Sequence, residues 1–401
     1  MTSETPEVVV AGHICVDLTP AFPAGLSAAT VQELLAPGKL VNVGNMVVAT
    51  GGAVSNTGLG LVRLGVRTAL MGKVGGDLLG RIVLQRLEEH GAADGMVVVP
   101  GESSSYTIVI APPGIDRIFL HNPGANDTFG AADVGYERVQ RARLFHLGYP
   151  PLLRSLFRND GEQLTEIFRR VKGMGVTTSL DMALPDPASE AGRADWAGIL
   201  RRTLPYVDLF LPSVEEMLFM LERERFMELT RRAAGRDLLD ALEPDDPRRL
   251  GRRLLDCGAK VVALKCGRRG LYAATGAANT LAGFGAAPPA DPANWTDREL
   301  WEEPFAVARV ASATGAGDTA IAGFLCAWLR GQTIEMCARY ANAVGAQNVM
   351  VYDSVSGIRT WADTQRMVAA GWAKERRPLT GPNWRYDERR GVWVGRSDRT
   401  F

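Results

Sequence analysis

Long apolar runs are missing from this 401-residue chain, as are paired cysteines and an excess of charge of either sign. No stretch approaches the ~20 apolar residues that a helix needs to cross a bilayer, so no membrane partner is expected. The five cysteines (Cys15, Cys257, Cys266, Cys326 and Cys337) form no CxxC pair and have no histidine at zinc spacing. Their odd number argues against a disulfide framework and suits reduced, buried thiols. Lys and Arg total 45, as do Asp and Glu, so the formal net charge is zero. Without a positive field nucleic acid is not an expected partner, and a small molecule fits better. The N-terminal run MTSETPEVVVAG lacks the basic and apolar regions of a signal peptide, which with the thiols implies a cytoplasmic protein. No G-x-x-x-x-G-K-[ST] loop is present, and neither is a G-x-S-x-G elbow or an H-E-x-x-H pair. Gly58-Leu59-Gly60 fails as a dinucleotide fingerprint, because Arg63 stands where the third glycine belongs.

What is present is an alternation of short β-branched runs and longer amphipathic segments. Strands are expected at Glu7–Ala11, Thr68–Met71, Arg143–Leu147, Val176–Leu180, Asp208–Leu211 and Lys260–Leu264. Helices are expected at Val54–Leu64, Leu78–His90, Gly161–Lys172, Trp196–Leu204, Val214–Leu221, Arg248–Asp256, Ala316–Leu329 and Ile334–Val349. This order implies a mainly parallel sheet covered by helices on both faces. Leu40–Val48 and Ser104–His121 break the rhythm as additional strands, the second interrupted by a turn at Pro112-Pro113-Gly114. Strands outside βαβ units suit a small β lid over a ligand cleft. Thr275–Pro304, rich in Ala, Gly and Pro, reads as a loop insertion. The tail from Lys374 is polar enough to be free, yet Trp384 and Trp393 suggest that it docks on the body or on a neighbouring subunit.

The most informative stretch is Ser312-Ala313-Thr314-Gly315-Ala316-Gly317-Asp318, which opens a helix. Two glycines one residue apart let the backbone turn and present bare N–H groups. The helix adds its own unpaired N–H groups and positive dipole end. Gly315, Ala316 and Gly317 would form an anion hole suited to a phosphoryl group in flight. Asp318, in the first turn, could accept the proton of an attacking hydroxyl. The same residue could simply cap the helix, where Asp is favoured.

This segment resembles the C-terminal signature of the ribokinase-like (PfkB) carbohydrate kinases, written D-T-x-G-A-G-D. The resemblance implies a three-layer α/β/α sandwich with a mainly parallel sheet and a β-sheet lid, over about residues 1–373. Lid strands would lie within about 13–20, 39–50 and 103–122, with an insertion at about 275–304 and a separate tail at 374–401. It implies ATP-dependent phosphorylation of a sugar hydroxyl, with Asp318 as general base and the Gly315–Gly317 amides as anion hole. Ser312 replaces the Asp that in many members helps hold a monovalent cation, which leaves that cation open.

Further segments resemble the family in the same order along the chain. Gly51-Gly52-Ala53-Val54-Ser55-Asn56 matches the N-terminal signature, placing Gly51, Gly52 and Asn56 at the sugar. Asp17 stands where a carboxylate accepts two sugar hydroxyls, with Cys15 where an Asn is often found. His13, nearby, reads as a structural or rim residue. Pro212-Ser213-Val214-Glu215-Glu216 resembles P-N-x-x-E, giving Glu216 a water-mediated role at the magnesium of Mg·ATP. Ser213 and Glu216 also fit a helix capping box, and both readings can hold. Lys265, Gly267 and Gly270 resemble the nucleotide-edge loop, and Asn342 the element flanking adenine. His121-Asn122-Pro123-Gly124-Ala125-Asn126 resembles a G-A-N element that would bring Asn126 near the substrate. The family often dimerises through its lids, so a homodimer is expected. A nucleoside kinase on the same scaffold, or a catalytically weak sugar- or nucleotide-binding protein, are the alternatives.

Overall fold

The short β-branched runs are buried on both sides, as strands between two helix layers must be. In the computed structural model, which describes residues 5–23, 36–112 and 118–401, β1 (Val8–Gly12) is wholly buried. Its side chains alternate between two cores: Val9 and Ala11 join one hydrophobic cluster, Val8 and Val10 the other. The helices Glu162–Gly173, Trp196–Thr203 and Asp245–Asp256 supply the first cluster. Ala53–Arg63, Ala316–Leu329 and Ile334–Asn348 supply the second.

The remaining strands are β2 (Cys15–Pro20), β3 (Met46–Gly51), β4 (Thr68–Met71), β5 (Lys73–Gly75), β6 (Val97–Val99), β7 (Tyr106–Ile110), β8 (Ile118–Asn122), β9 (Leu144–Gly148), β10 (Thr177–Leu180), β11 (Leu209–Phe210), β12 (Val261–Lys265), β13 (Leu271–Thr275), β14 (Glu299–Glu302), β15 (Trp384–Asp387) and β16 (Val392–Gly395). The main sheet runs β15-β16-β14-β13-β12-β11-β10-β9-β1-β4. From β4 to β12 every neighbouring pair is parallel, and from β12 to β15 every pair is antiparallel. A separate four-stranded sheet, β3-β2-β7-β8, is the lid, and β5 pairs with β6 alone. The strand expected from Leu40, β3, begins at Met46, with its register fixed by Asp17 opposite Ala49. Of the turn expected within the lid, Pro113 and Gly114 lie outside the described residues.

Segment 275–304 differs from the expected loop. It carries two short helices, Ala278–Leu281 and Pro292–Trp295, and then β14, an internal strand of the main sheet. Its acidic ends hid it: buried Glu302 takes Arg339 at 3.0 Å and Lys374 at 2.5 Å, while Glu299 accepts from the Tyr272 hydroxyl at 3.0 Å. The tail folds into the β15–β16 hairpin, which extends the sheet beside β14. Trp384 packs edge-to-face on Tyr272 and Trp301, with ring centroids 6.2 and 5.9 Å apart.

Candidate functional site

The C-terminal ends of the parallel strands open into a cleft beneath the lid, where open α/β sheets bind their ligands. A cavity of about 1260 Å³ fills it. Its walls include Asp17, Asn56, Tyr149, Glu216, Gly315 and Asp318. Two helix starts meet here, since the helix from Ala53 packs against the helix from Ala316.

Asp318 sits at the junction and is 2 % exposed. Gly315, at φ 71°, turns the chain into the helix. Ser354 packs so close to this glycine that a Cβ there would lie 2.6 Å from its side chain. The first turn thus puts the Asp318 carboxylate on the cavity wall. Asn56 Nδ2 donates to Oδ2 at 2.9 Å, and the Tyr149 hydroxyl lies 2.8 Å from both carboxylate oxygens. Thr57 Oγ1 donates to the Asp318 backbone carbonyl at 3.2 Å. Burial pushes the carboxyl above its ordinary value, against the opposing pull of Asn56, Lys265 and Tyr149. A carboxylate that is buried, oriented and more basic than usual suits proton abstraction. Of the three anion-hole candidates, Gly315 and Gly317 line the cavity, while the Ala316 amide donates to the Ala313 carbonyl at 3.3 Å.

The diglycine makes room for two side chains of the opposite wall. A Cβ on Gly51 would lie 2.2 Å from the Asp17 carboxylate, and one on Gly52 2.5 Å from His13 Nδ1. Burial raises the Asp17 pKa, with the Asp318 charge adding to the shift and hydrogen bonds from Cys15 and Thr107 opposing it. The Cys15 thiol donates to Asp17 Oδ1 at 3.4 Å. His13 is no rim residue. It is 2 % exposed, lines the cavity, and rests between the rings of His121 and Tyr149, at 5.3 and 5.9 Å.

Beside the helix start, Lys265 Nζ donates to Asp181 Oδ1 at 2.6 Å and to the Leu211 carbonyl at 2.8 Å. Burial works to lower the lysine pKa, but the carboxylates of Asp181, Glu216 and Asp318 raise it on balance, so the ammonium stays charged. Its chain passes Gly317, whose missing Cβ would lie 3.5 Å from Lys265 Cε. Glu216 closes the capping box, accepting from the Ser213 amide at 2.7 Å while Ser213 Oγ accepts from its own amide at 3.2 Å. It also reaches the cavity.

Two expected contact residues have their side-chain amides engaged within the protein. Asn126 is fully buried away from the cavity and clamps Ile14, donating to its carbonyl at 2.9 Å and accepting from its amide at 3.4 Å. It holds the β1–β2 link rather than a substrate. Asn342 commits its amide to the carbonyls of Glu302 and Glu303, at 3.0 and 3.1 Å, which ties its helix to β14. Gly267 and Gly270 shape the β12–β13 turn, both at positive φ, where a Cβ on Gly270 would lie 2.1 Å from the Glu302 carbonyl. Tyr149 and Asp181 were missed. Both follow strand ends, β9 and β10, and that position in an α/β sheet was the available signal. Among the described residues no cluster of three or more His, Cys, Asp or Glu could hold a metal by itself, and no helix is long and apolar enough to cross a membrane.

The family model described as pfkB family carbohydrate kinase matches residues 6–361. An uncharacterized sugar kinase of Archaeoglobus fulgidus is 28 % identical over 301 residues, covering 75 % of this chain and 98 % of its own. The 2-dehydro-3-deoxygluconokinase of Bacillus subtilis is 25 % identical over 340 residues, 80 % of this chain and 87 % of that one. The structure of Arabidopsis thaliana ribokinase complexed with ribose and ATP superposes with a TM-score of 0.65 at 18 % identity, covering 91 % of this chain and 99 % of that one. The fold is that of ribokinase, and the sequence relatives are named as kinases of sugars or sugar derivatives. The chain belongs to the pfkB family of carbohydrate kinases, enzymes that move a phosphoryl group from ATP to a sugar.

Proposed function

We propose that the protein transfers the γ-phosphoryl group of ATP to a hydroxyl of a sugar or sugar derivative in the cleft, with Asp318 as general base. The observation that carries this is the oriented carboxylate at a helix start on the cavity wall, fixed by Asn56 and Tyr149. The acceptor hydroxyl would lie over Asp318 and give up its proton as its oxygen attacks phosphorus. Gly315, Gly317 and the helix N-terminus would meet the charge on the transferring oxygens. Lys265, one side chain away, supports the same field.

Mg·ATP suits the residues present. The phosphates bring most of the oxygen ligands that Mg²⁺ needs, so one carboxylate acting through water, Glu216, is enough. Bound Mg²⁺ would neutralise phosphate charge. Lys265, Gly267 and Gly270 are proposed to border the nucleotide, and the β2–β3–β7–β8 lid to exclude water from the reaction. Exposed Met46, Val47, Phe119 and Leu120 on the lid support a dimer through these sheets.

The test is Mg·ATP turnover against a panel of sugars, sugar acids and nucleosides, with product formation read by phosphorus NMR. A phosphate ester formed by the wild type, with Asp318→Asn slower by about 10²–10⁴-fold, is expected. A wild type inert with every acceptor, or a mutant equally fast, would remove the assignment.

A further inference from the structure

Buried polar atoms normally find hydrogen-bond partners, so a buried orphan facing a cavity points to a ligand. Three such atoms converge on the acceptor wall. His13 Nδ1 and Nε2 and Asn56 Oδ1 have no partner, although His13 is 2 % and Asn56 4 % exposed. The missing Cβ of Gly52 leaves the His13 ring its place against the diglycine.

The balance of donors and acceptors on this wall is uneven. Asp17, Asp318 and Asn56 Oδ1 can only accept from a ligand, unless a carboxyl is protonated. A neutral imidazole gives one donor and one acceptor, and burial lowers the pKa of both His13 and His121, which keeps the rings uncharged. Asp127, Asp186, Glu190 and Glu216 add negative charge to the cavity lining. Among its described residues the one guanidinium is Arg154, whose Nε donates to Glu190 at 2.7 Å. On the wall formed by Asp17, Asn56 Oδ1 and Asp318, away from the helix-start amides of Gly315 and Gly317, a ligand carboxylate or phosphate would therefore meet acceptors. A hydroxyl, which both donates and accepts, would satisfy them.

We propose that the acceptor is an uncharged polyhydroxylated molecule with one hydroxyl bound to His13, and that sugar acids and sugar phosphates are excluded from the site. The word acceptor rests on the phosphotransferase reading, but the binding claim stands apart from turnover. His13 is a specificity-determining residue that pairs with a ligand hydroxyl, while the carboxylates of the lining oppose a charged ligand. This separates the protein from its Bacillus subtilis relative, which by its name acts on a sugar acid.

The full-length protein is to be melted with neutral aldoses, ketoses, polyols and nucleosides, and with aldonic and keto-aldonic acids of matched carbon number. Neutral members should raise Tm and the acids should not. His13→Phe should abolish the rise while leaving the unliganded Tm unchanged or higher, since it removes an unsatisfied buried group. In turnover it should raise KM for the neutral acceptor by about tenfold or more with little change in kcat. His13→Gln, which keeps a donor and an acceptor, should recover part of that loss. An acid that stabilises the protein or is turned over as well as its neutral counterpart would overturn the proposal. So would a neutral panel without any shift, or a His13→Phe enzyme with unchanged KM. Neutral ligands that bind but are never phosphorylated would instead defeat the kinase reading and leave this one standing.

Discussion

Buried charge is handled in opposite ways at the two ends of the main sheet. At the antiparallel edge it is paired: Arg298 meets Glu335 at 2.6 Å and Asp398 at 2.8 Å, with all three side chains nearly inaccessible. At the cleft it is left partly open. Asp318 and Asp17 are held by neutral donors, their pKa values are raised, and His13 and Asn56 keep orphan atoms. The first arrangement locks the C-terminal hairpin onto the body. The second leaves donors and acceptors on a cavity wall that a ligand can meet.

The comparison can be broken at either end. The largest effect is expected from Asp318→Asn, which should cut kcat by about 10²–10⁴-fold and yet stabilise the fold at neutral pH. The folded-state pKa of Asp318 lies above its unfolded value. Its contribution to stability is therefore kept below the unfolded pKa and lost as pH rises through the folded one. Denaturant melts from pH 3 upward should show the mutant's advantage appearing only above the ordinary carboxylate range, and an advantage constant with pH would contradict the account. Arg298→Ala should do the reverse: it leaves Asp398 buried without a cation and Glu335 with Arg390, at 3.4 Å, as its one remaining cation, at a cost of about 3–5 kcal/mol. Activity per folded molecule should be unchanged, as measured by denaturant unfolding beside turnover. The smallest effect concerns the lid, where Val47→Asp should turn a dimer into a monomer in sedimentation with the melting temperature nearly unaltered. A wild type that already sediments as a monomer would remove that expectation.

The difference between the two ends also explains what the sequence disclosed. Gly51-Gly52, Gly315-Ala316-Gly317 and the helix-opening Asp318 could be read directly, because a glycine turn before a helix is a local feature with a local cause. The parallel strands were legible from their apolar runs. β14 and the tail hairpin were not, because their Glu, Arg and Asp residues mimic a solvated loop until partners such as Arg298 and Asp398, 100 residues apart, are brought together. Asn126 and Asn342 show the converse. Each sits in a segment resembling a binding element, but an Asn side chain can serve backbone carbonyls equally well, and only the fold reveals which it does. Tyr149, at φ 65°, follows Gly148 and precedes two prolines, a constrained corner that single-residue propensities do not mark as functional.

Tyr149 also gives the most direct test of the central claim that Asp318 is the base. Its hydroxyl favours the ionised carboxylate, so Tyr149→Phe should raise the pKa of Asp318 further. In a pH profile of kcat/KM for acceptor phosphorylation, the wild type should lose activity on the acid side at a pH above the ordinary carboxylate range. The acid limb of Tyr149→Phe should lie higher still, with the alkaline limb unmoved. Superimposable acid limbs, or a Tyr149→Phe limb displaced to lower pH, would contradict the account.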